Sequence, residues 1–356
     1  MAIEFGIFDH IEMHSIRGAE NLYEERIASL KRAEQGGFYA FHLAEHHGHG
    51  LSISPSPPVF LTALARETTR LKLIPTVVCL PLHHPVRIFE ELAMLDVLSH
   101  GRLELGVGKG ITAFEHLQFG HPPEEASART QEILEMLLNA WETGIISSEG
   151  STFYDFAELQ LPFKPVQHPY PPIWSAGNVE TAGRGGYNFI FPGPISHEMR
   201  ARYDELRAAS REQPGHHNPH VAEPRIAQCT ALVIAPTDDE ADAIARRAWG
   251  SYMDAMMRAR GNVPPHLQES VPELDTPFAR EMLTGDPFEK GLIFAGSVQR
   301  VRDYYVEQAA RGVANYFMIM TPIGDMTSQE LDYTLDAFSS EVIPAVREVE
   351  TAGVPI

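Results

Sequence analysis

Short apolar runs alternate with longer amphipathic stretches along this chain, and the alternation recurs eight times. IEFGIFD precedes a helical pattern over about 20–35, and FYAFHLAEH precedes one over about 57–69. LKLIPTVVCL precedes one over 85–99, and RLELGVG a long one over about 123–141. PPIWSAG, YNFIFPG, RIAQCTALVI and ANYFMIM follow, each with helical sequence behind it. Strands that are apolar almost throughout, separated by helices, predict a parallel sheet covered on its outside. Eight such units predict an α/β fold closed into a TIM-type (β/α)8 barrel rather than an open doubly wound sheet.

The punctuation agrees. Gly36 and Gly37 stop the first helix, where glycine takes the left-handed terminal conformation without a Cβ penalty. Ser297 and Thr327 are placed to cap the last helices. Two stretches break the alternation as insertions, one after strand 4 and one near strand 7. Residues 143–172 predict a hairpin-like excursion, and residues 261–292 are too long and proline-rich for an ordinary barrel loop. On the catalytic rim the second is a candidate lid, with a plain surface insertion as its alternative. The whole chain, 1–356, reads as a single domain.

Charge narrows the partners. The net charge of −20, from 48 acidic and 28 basic residues, repels nucleic acid and anionic lipid. No apolar run is long enough to span a bilayer, and MAIEFGIFDH has none of the marks of a signal peptide, so a cytoplasmic location is expected. Cys79 and Cys229 each sit in an apolar run and read as small buried hydrophobes, which fits a reducing compartment.

In such a barrel the chemistry lies just beyond the C-terminal ends of the strands. The run Ala44-Glu45-His46-His47-Gly48-His49 follows the second strand and is unsuited to a core. A metal reading is open there, but adjacent His46 and His47 point to opposite faces of an extended chain and would not share one ion, so no metal is assigned. After the fourth strand, Gly106, Gly108 and Gly110 alternate, with Lys109 between the last two. Glycines let backbone N–H groups approach an anion and Lys109 adds a charge, although tight turns use glycine for packing too. Arg129 on the next helix could join Lys109 or be an ordinary solvated arginine. PPIWSAGNVETAGRGG offers Ser175, Gly177 and Asn178 at a helix start, either as phosphate donors or as a simple N-cap.

Taken together, the AEHH motif, LPLHHPVRIFEELAMLDVLSHGRLELGVGKG and PFKPVQHPYPPIW resemble the bacterial luciferase-like flavin monooxygenases over essentially the whole chain. The resemblance implies a (β/α)8 barrel with a mobile lid near the seventh strand, reduced FMN delivered by a separate NAD(P)H-dependent flavin reductase, dioxygen as co-substrate, and a homodimer. It implies oxygenation of a small hydrophobic substrate through flavin C4a-peroxide chemistry, with His46 as base or hydrogen-bond donor and Glu45 setting its tautomer. Lys109, Arg129, Ser175 and Asn178 fall at phosphate-contact positions, and Phe5 and Phe8 are candidate walls of a dry pocket, with at least one of them read as mere core. Thr76 and Val77 match the place where the family carries a non-prolyl cis peptide beneath the flavin. Gly108 replaces the reactive cysteine of true luciferases, which argues against light emission. Two alternatives share the fold: an F420-dependent hydride-transferring oxidoreductase and a flavin-binding protein without catalysis.

Overall fold

A computed structural model describes residues 3–13, 18–261 and 285–351. The eight barrel strands fall on the eight apolar runs: β1 (Glu4–Asp9), β2 (Ala40–Leu43), β3 (Lys72–Pro75), β4 (Leu105–Gly108), β5 (Ile173–Ala176), β6 (Asn188–Pro192), β7 (Ile226–Ile234) and β8 (Tyr316–Met320). All pair in parallel, with Gly6 of β1 facing Ala40 of β2 on one side and Met318 of β8 on the other. The ring closes between β3 and the approach to β4, where Leu73 bridges Leu103 and its N–H donates to the Arg102 carbonyl at 3.0 Å.

Alternation along each strand separates two cores. Phe5, Ile7, Phe41, Leu73 and Phe317 point outward to the helices, whereas Ala40, Ile74, Trp174, Tyr316 and Met318 fill the barrel. The outer shell begins with α1 (Ala19–Gln35), α2 (Pro57–Glu67), α3 (Pro85–Leu98), α4 (Ala113–Gln118) and α5 (Ala126–Thr143). It continues with α6 (Val179–Gly185), α7 (His197–Ser210), α8 (Asp238–Gly261), α9 (Val298–Ala310), α10 (Ser328–Ala337) and α11 (Ile343–Thr351). Phe5 therefore belongs to the outer core, packed edge-on against Phe338, and is no pocket wall; Phe8 is the inward residue.

The barrel floor is polar. The Trp174 indole N–H donates to Glu104 at 2.6 Å, Tyr39 donates to the same carboxylate, and Arg225 pairs with Glu4 while lying 4.1 Å over the Tyr39 ring. Above it, His42 sits 2.8 Å from the Tyr316 hydroxyl and 3.0 Å from Thr76 Oγ1. Burial pushes the His42 imidazole down to about 3, so it is neutral in the fold.

Several local expectations change. The left-handed residue after α1 is Gly37 (φ +95°), not Gly36, which stays helical (φ −72°). Thr327 forms a reciprocal capping box with Glu330. Ser297 occupies the N-cap position of α9, but its side chain makes no capping bond; its N–H donates to Asp238 at 2.7 Å. A further short strand, Ile293–Gly296, lies outside the eight apolar runs and pairs with the second half of β7. Within the 143–172 excursion, Ile145–Ile146 pairs antiparallel with Leu159–Gln160. Most of the 261–292 segment expected as a lid lies outside the described residues. No helix among those described is long and apolar enough to cross a membrane.

Candidate active site

Beyond β2 the chain leaves the barrel as Glu45-His46-His47, and alternation divides its side chains between two carboxylates. Glu45, buried, takes His47 Nε2 at 2.9 Å and His83 Nε2 at 2.8 Å on one oxygen, and the Cys79 N–H at 3.2 Å on the other. Burial alone would raise its carboxyl, but the bonds from His47 and His83 outweigh it and hold Glu45 below the usual range; His83 is raised in return. Glu45 thus does not reach His46, and the expectation that it sets the His46 tautomer is corrected.

That place belongs to Glu115, on α4, 69 residues further along the chain. Its Oε1 lies 3.1 Å from His46 Nδ1 and accepts the His47 N–H at 2.9 Å, while Thr112 donates to its other oxygen. Glu115 is 1% exposed, a burial that by itself would raise its carboxyl; contacts with His46 and His49 and the Thr112 bond hold it well below the ordinary carboxylate range. A carboxylate can only accept, so Nδ1 of His46 carries the proton and Nε2 is left as the basic nitrogen. His10, at the end of β1, stacks on His46 at 5.7 Å and 12°. Burial, with repulsion from His46 and His49, keeps His10 well below its ordinary value. The sequence reading does not single out Glu115, His10 or His83. A signal exists for Glu115: Thr112 and Glu115 stand three apart across the start of a short helix, the spacing of a capping pair.

The neighbouring strand end carries the Thr76–Val77 peptide, which is cis, at the position the resemblance implied. Glycine is required opposite it. A Cβ on Gly108 would lie 2.6 Å from Val77 Cγ2, and one on Gly106 would lie 2.1 Å from the Pro75 carbonyl oxygen. The ends of β3 and β4 therefore close together into a thin shelf beside the β2 histidines.

The expected anion-binding positions are placed as follows. Lys109 is exposed at the end of β4. Arg129, on α5, is bound to Glu125 at 2.7 Å and stacks 4.4 Å over Phe153 of the excursion, so it is a packed arginine rather than a solvated one. Ser175 is buried at the end of β5, Gly177 is exposed with φ +82°, and the Asn178 side-chain oxygen caps α6 by accepting from Thr181 N at 3.0 Å. Two open cavities of about 570 and 490 Å3 lie elsewhere, and neither is lined by these residues.

A closed parallel barrel whose C-terminal rim holds a buried imidazole–carboxylate pair next to a glycine shelf defines a TIM-type α/β barrel protein. The chain belongs to the luciferase-like monooxygenase family, whose profile matches residues 3–315. It is 31% identical to the uncharacterized protein y4wF of Sinorhizobium fredii, over 97% of each chain. It is 32% identical, over 49% of each chain, to the oxygenase component of the flavin-dependent trigonelline monooxygenase of Acinetobacter baylyi. The crystal structure of the monooxygenase RslO1 from Streptomyces bottropensis has the same fold, with a TM-score of 0.78 at 23% identity, covering 96% of this chain and 99% of that one.

Proposed function

We propose that this protein is the oxygenase of a two-component flavin system: it takes reduced FMN from a separate NAD(P)H flavin reductase, uses dioxygen, and oxygenates a small hydrophobic organic molecule without emitting light. The observation that carries the reading is His46, held by Glu115 with a basic nitrogen to spare, beside the Val77–Gly108 shelf. The residues fit a flavin. The shelf, with no side chain at Gly108, would take the flat ring, and Lys109, with Ser175 and the backbone at Gly177, would hold the phosphate against a strongly acidic protein field. Arg129 would join them only by loosening its bond to Glu125. Asn178 would contribute through its amide nitrogen, its oxygen being engaged in the cap.

Reduced FMN, when bound, supplies the two electrons that activate dioxygen. The chain's own part is protonic and steric. His46 takes or shares a proton at Nε2, Glu115 stabilises the charge that develops on the ring, and Glu45 fixes the loop through His47, His83 and the Cys79 N–H. Phe8, whose ring lies 4.8 Å from that of His10, supplies an apolar wall that keeps water from the site. Met94, Val97 and Leu98 leave apolar side chains exposed along α3, which supports a homodimer in a cytoplasmic protein.

Fluorescence titration of the pure protein with FMN and with F420 tests the cofactor, and oxygen incorporation from reduced FMN into a panel of aldehydes, ketones and terpenes tests the reaction. FMN binding with oxygenation is expected in the wild type. His46→Ala should lose product formation while still binding FMN. Binding of F420 but not FMN would move the protein to hydride transfer, and undiminished oxygenation by His46→Ala would remove the histidine from the mechanism.

A further inference from the structure

The third histidine of the AEHHGH run is assigned no proton-transfer role above, and its environment is unusual. The His49 side chain is 1% exposed, yet neither ring nitrogen has a hydrogen-bond partner. Leaving a buried polar ring unsatisfied costs about 1–3 kcal/mol, so a fold that keeps one invites the question of what would satisfy it. Its Nε2 lies 3.3 Å from Glu115 Oε1 without the alignment of a hydrogen bond. The same oxygen is 3.1 Å from His46 Nδ1, and the three ligand atoms all fall within 4.8 Å of one another.

These are the separations of metal ligands. Zinc bonds of about 2.0–2.1 Å to imidazole nitrogen and carboxylate oxygen in a tetrahedron set neighbouring donors about 3.4 Å apart. Two of the three edges already match within a few tenths of an ångström, and rotation of the His49 ring would shorten the third. The carboxylate is supported as a ligand should be, by the Thr112 hydroxyl and the His47 N–H. Two neutral imidazoles and one carboxylate carry a single negative charge, which a divalent ion reverses. Sulfur is absent from the set, which suits zinc and its borderline neighbours more than copper(I).

We propose that His46, His49 and Glu115 form a binding site for one divalent transition-metal ion of the zinc type, with the remaining coordination position open to water. Binding through Nδ1 of His46 requires its proton to move to Nε2, so the ring exchanges a basic nitrogen for a donor, with no net proton released. If the base assignment under the proposed function holds, the ion is therefore an inhibitor of oxygenation; the site itself stands independently of that assignment.

The test uses flavin-free protein and no turnover. After chelator treatment and dialysis against Zn2+, elemental analysis should find one zinc per chain, and Co2+ should give the visible absorption of a low-coordinate N/O site. His49→Ala should weaken Zn2+ binding by more than about 100-fold, and Thr112→Val, which leaves the three ligands intact, by about 10–100-fold. Thermal melting without metal confirms that each variant folds, and added Zn2+ should raise the melting temperature most in the wild type, less in Thr112→Val and not in His49→Ala. No stoichiometric zinc in the wild type overturns the proposal. So does zinc bound with equal affinity by the wild type and a folded His49→Ala, since the ion would then lie on other histidines of the 17 in the chain.

Discussion

Replacing Glu115 by glutamine changes one buried oxygen to an amide with almost no change of shape, and its consequences follow from three contacts. In the wild type the carboxylate accepts from His46 Nδ1 (3.1 Å), from the His47 N–H (2.9 Å) and from Thr112. Each hydrogen bond to a charged acceptor contributes about 1.5–3 kcal/mol. The glutamine side chain keeps one acceptor and presents an NH2 group to what were donors, so one to two of these bonds are lost. The expected loss of stability is about 2–4 kcal/mol, several degrees in melting temperature. With its NH2 turned to His46 the amide donates to Nδ1, favouring the tautomer protonated at Nε2 and removing the base. With its NH2 on Thr112, whose hydroxyl can accept, the tautomer is kept but the charge that supports the imidazolium is gone. Product formation should fall by about 10²–10⁴, the range of general-base assistance. Nitrogen-15 spectra of labelled histidine read the tautomer without any substrate: a protonated Nδ1 at His46 in the wild type, an Nε2-protonated or mixed ring in Glu115→Gln. The pH dependence adds a sign. Glu115 titrates lower in the fold than in the unfolded chain, so its contribution is complete above the ordinary glutamate range near pH 4–5 and fades as pH falls below it. The stability gap between wild type and variant should therefore be widest at neutral pH and close in acid. An unchanged His46 tautomer together with an unchanged melting temperature would refute this account of Glu115.

Gly108→Ala sets a methyl 2.6 Å from Val77 Cγ2, a clash worth about 1–3 kcal/mol, and should lower both the melting temperature and FMN affinity; Val77→Ala in the same chain should restore stability. His42 stays neutral down to about pH 3 in the fold but gains a proton near pH 6.5 when unfolded. Between those values it makes folding less favourable as pH falls, by about 1.4 kcal/mol per unit, so urea titrations across that window should show a shallower slope for His42→Gln. Arg26→Leu strands Asp9, whose carboxylate is 2.6 Å away and 1% exposed, and should cost about 3–5 kcal/mol in denaturant unfolding; adding Asp9→Asn should recover most of it.

The barrel was legible because every strand is buried on both faces and so reads as a continuous apolar run, as in IAQCTALVI, where all nine residues are buried. Ile293–Gly296 was not, because four residues directly behind a proline- and charge-rich stretch carry too little pattern. The division of the site was only half legible. Alternation correctly separates His46 from His47, and the same rule places Glu45 with His47 and away from His46. What no local pattern reveals is which distant carboxylate faces His46, since Glu115 lies 69 positions on, beyond α2, β3, α3 and β4. Arg129 and Asn178 show the converse: their residue types suit phosphate, but Glu125, Phe153 and the α6 backbone compete for them.

The filled axis of the barrel has its own consequence. With Trp174, Tyr316 and His42 fully enclosed at its centre, the cylinder is plugged and not a tunnel. Anything bound at the C-terminal rim can therefore arrive and leave only from that side of the barrel. If flavin and substrate both bind there, as proposed, the one nearer the plug must bind first, and steady-state kinetics should show that compulsory order.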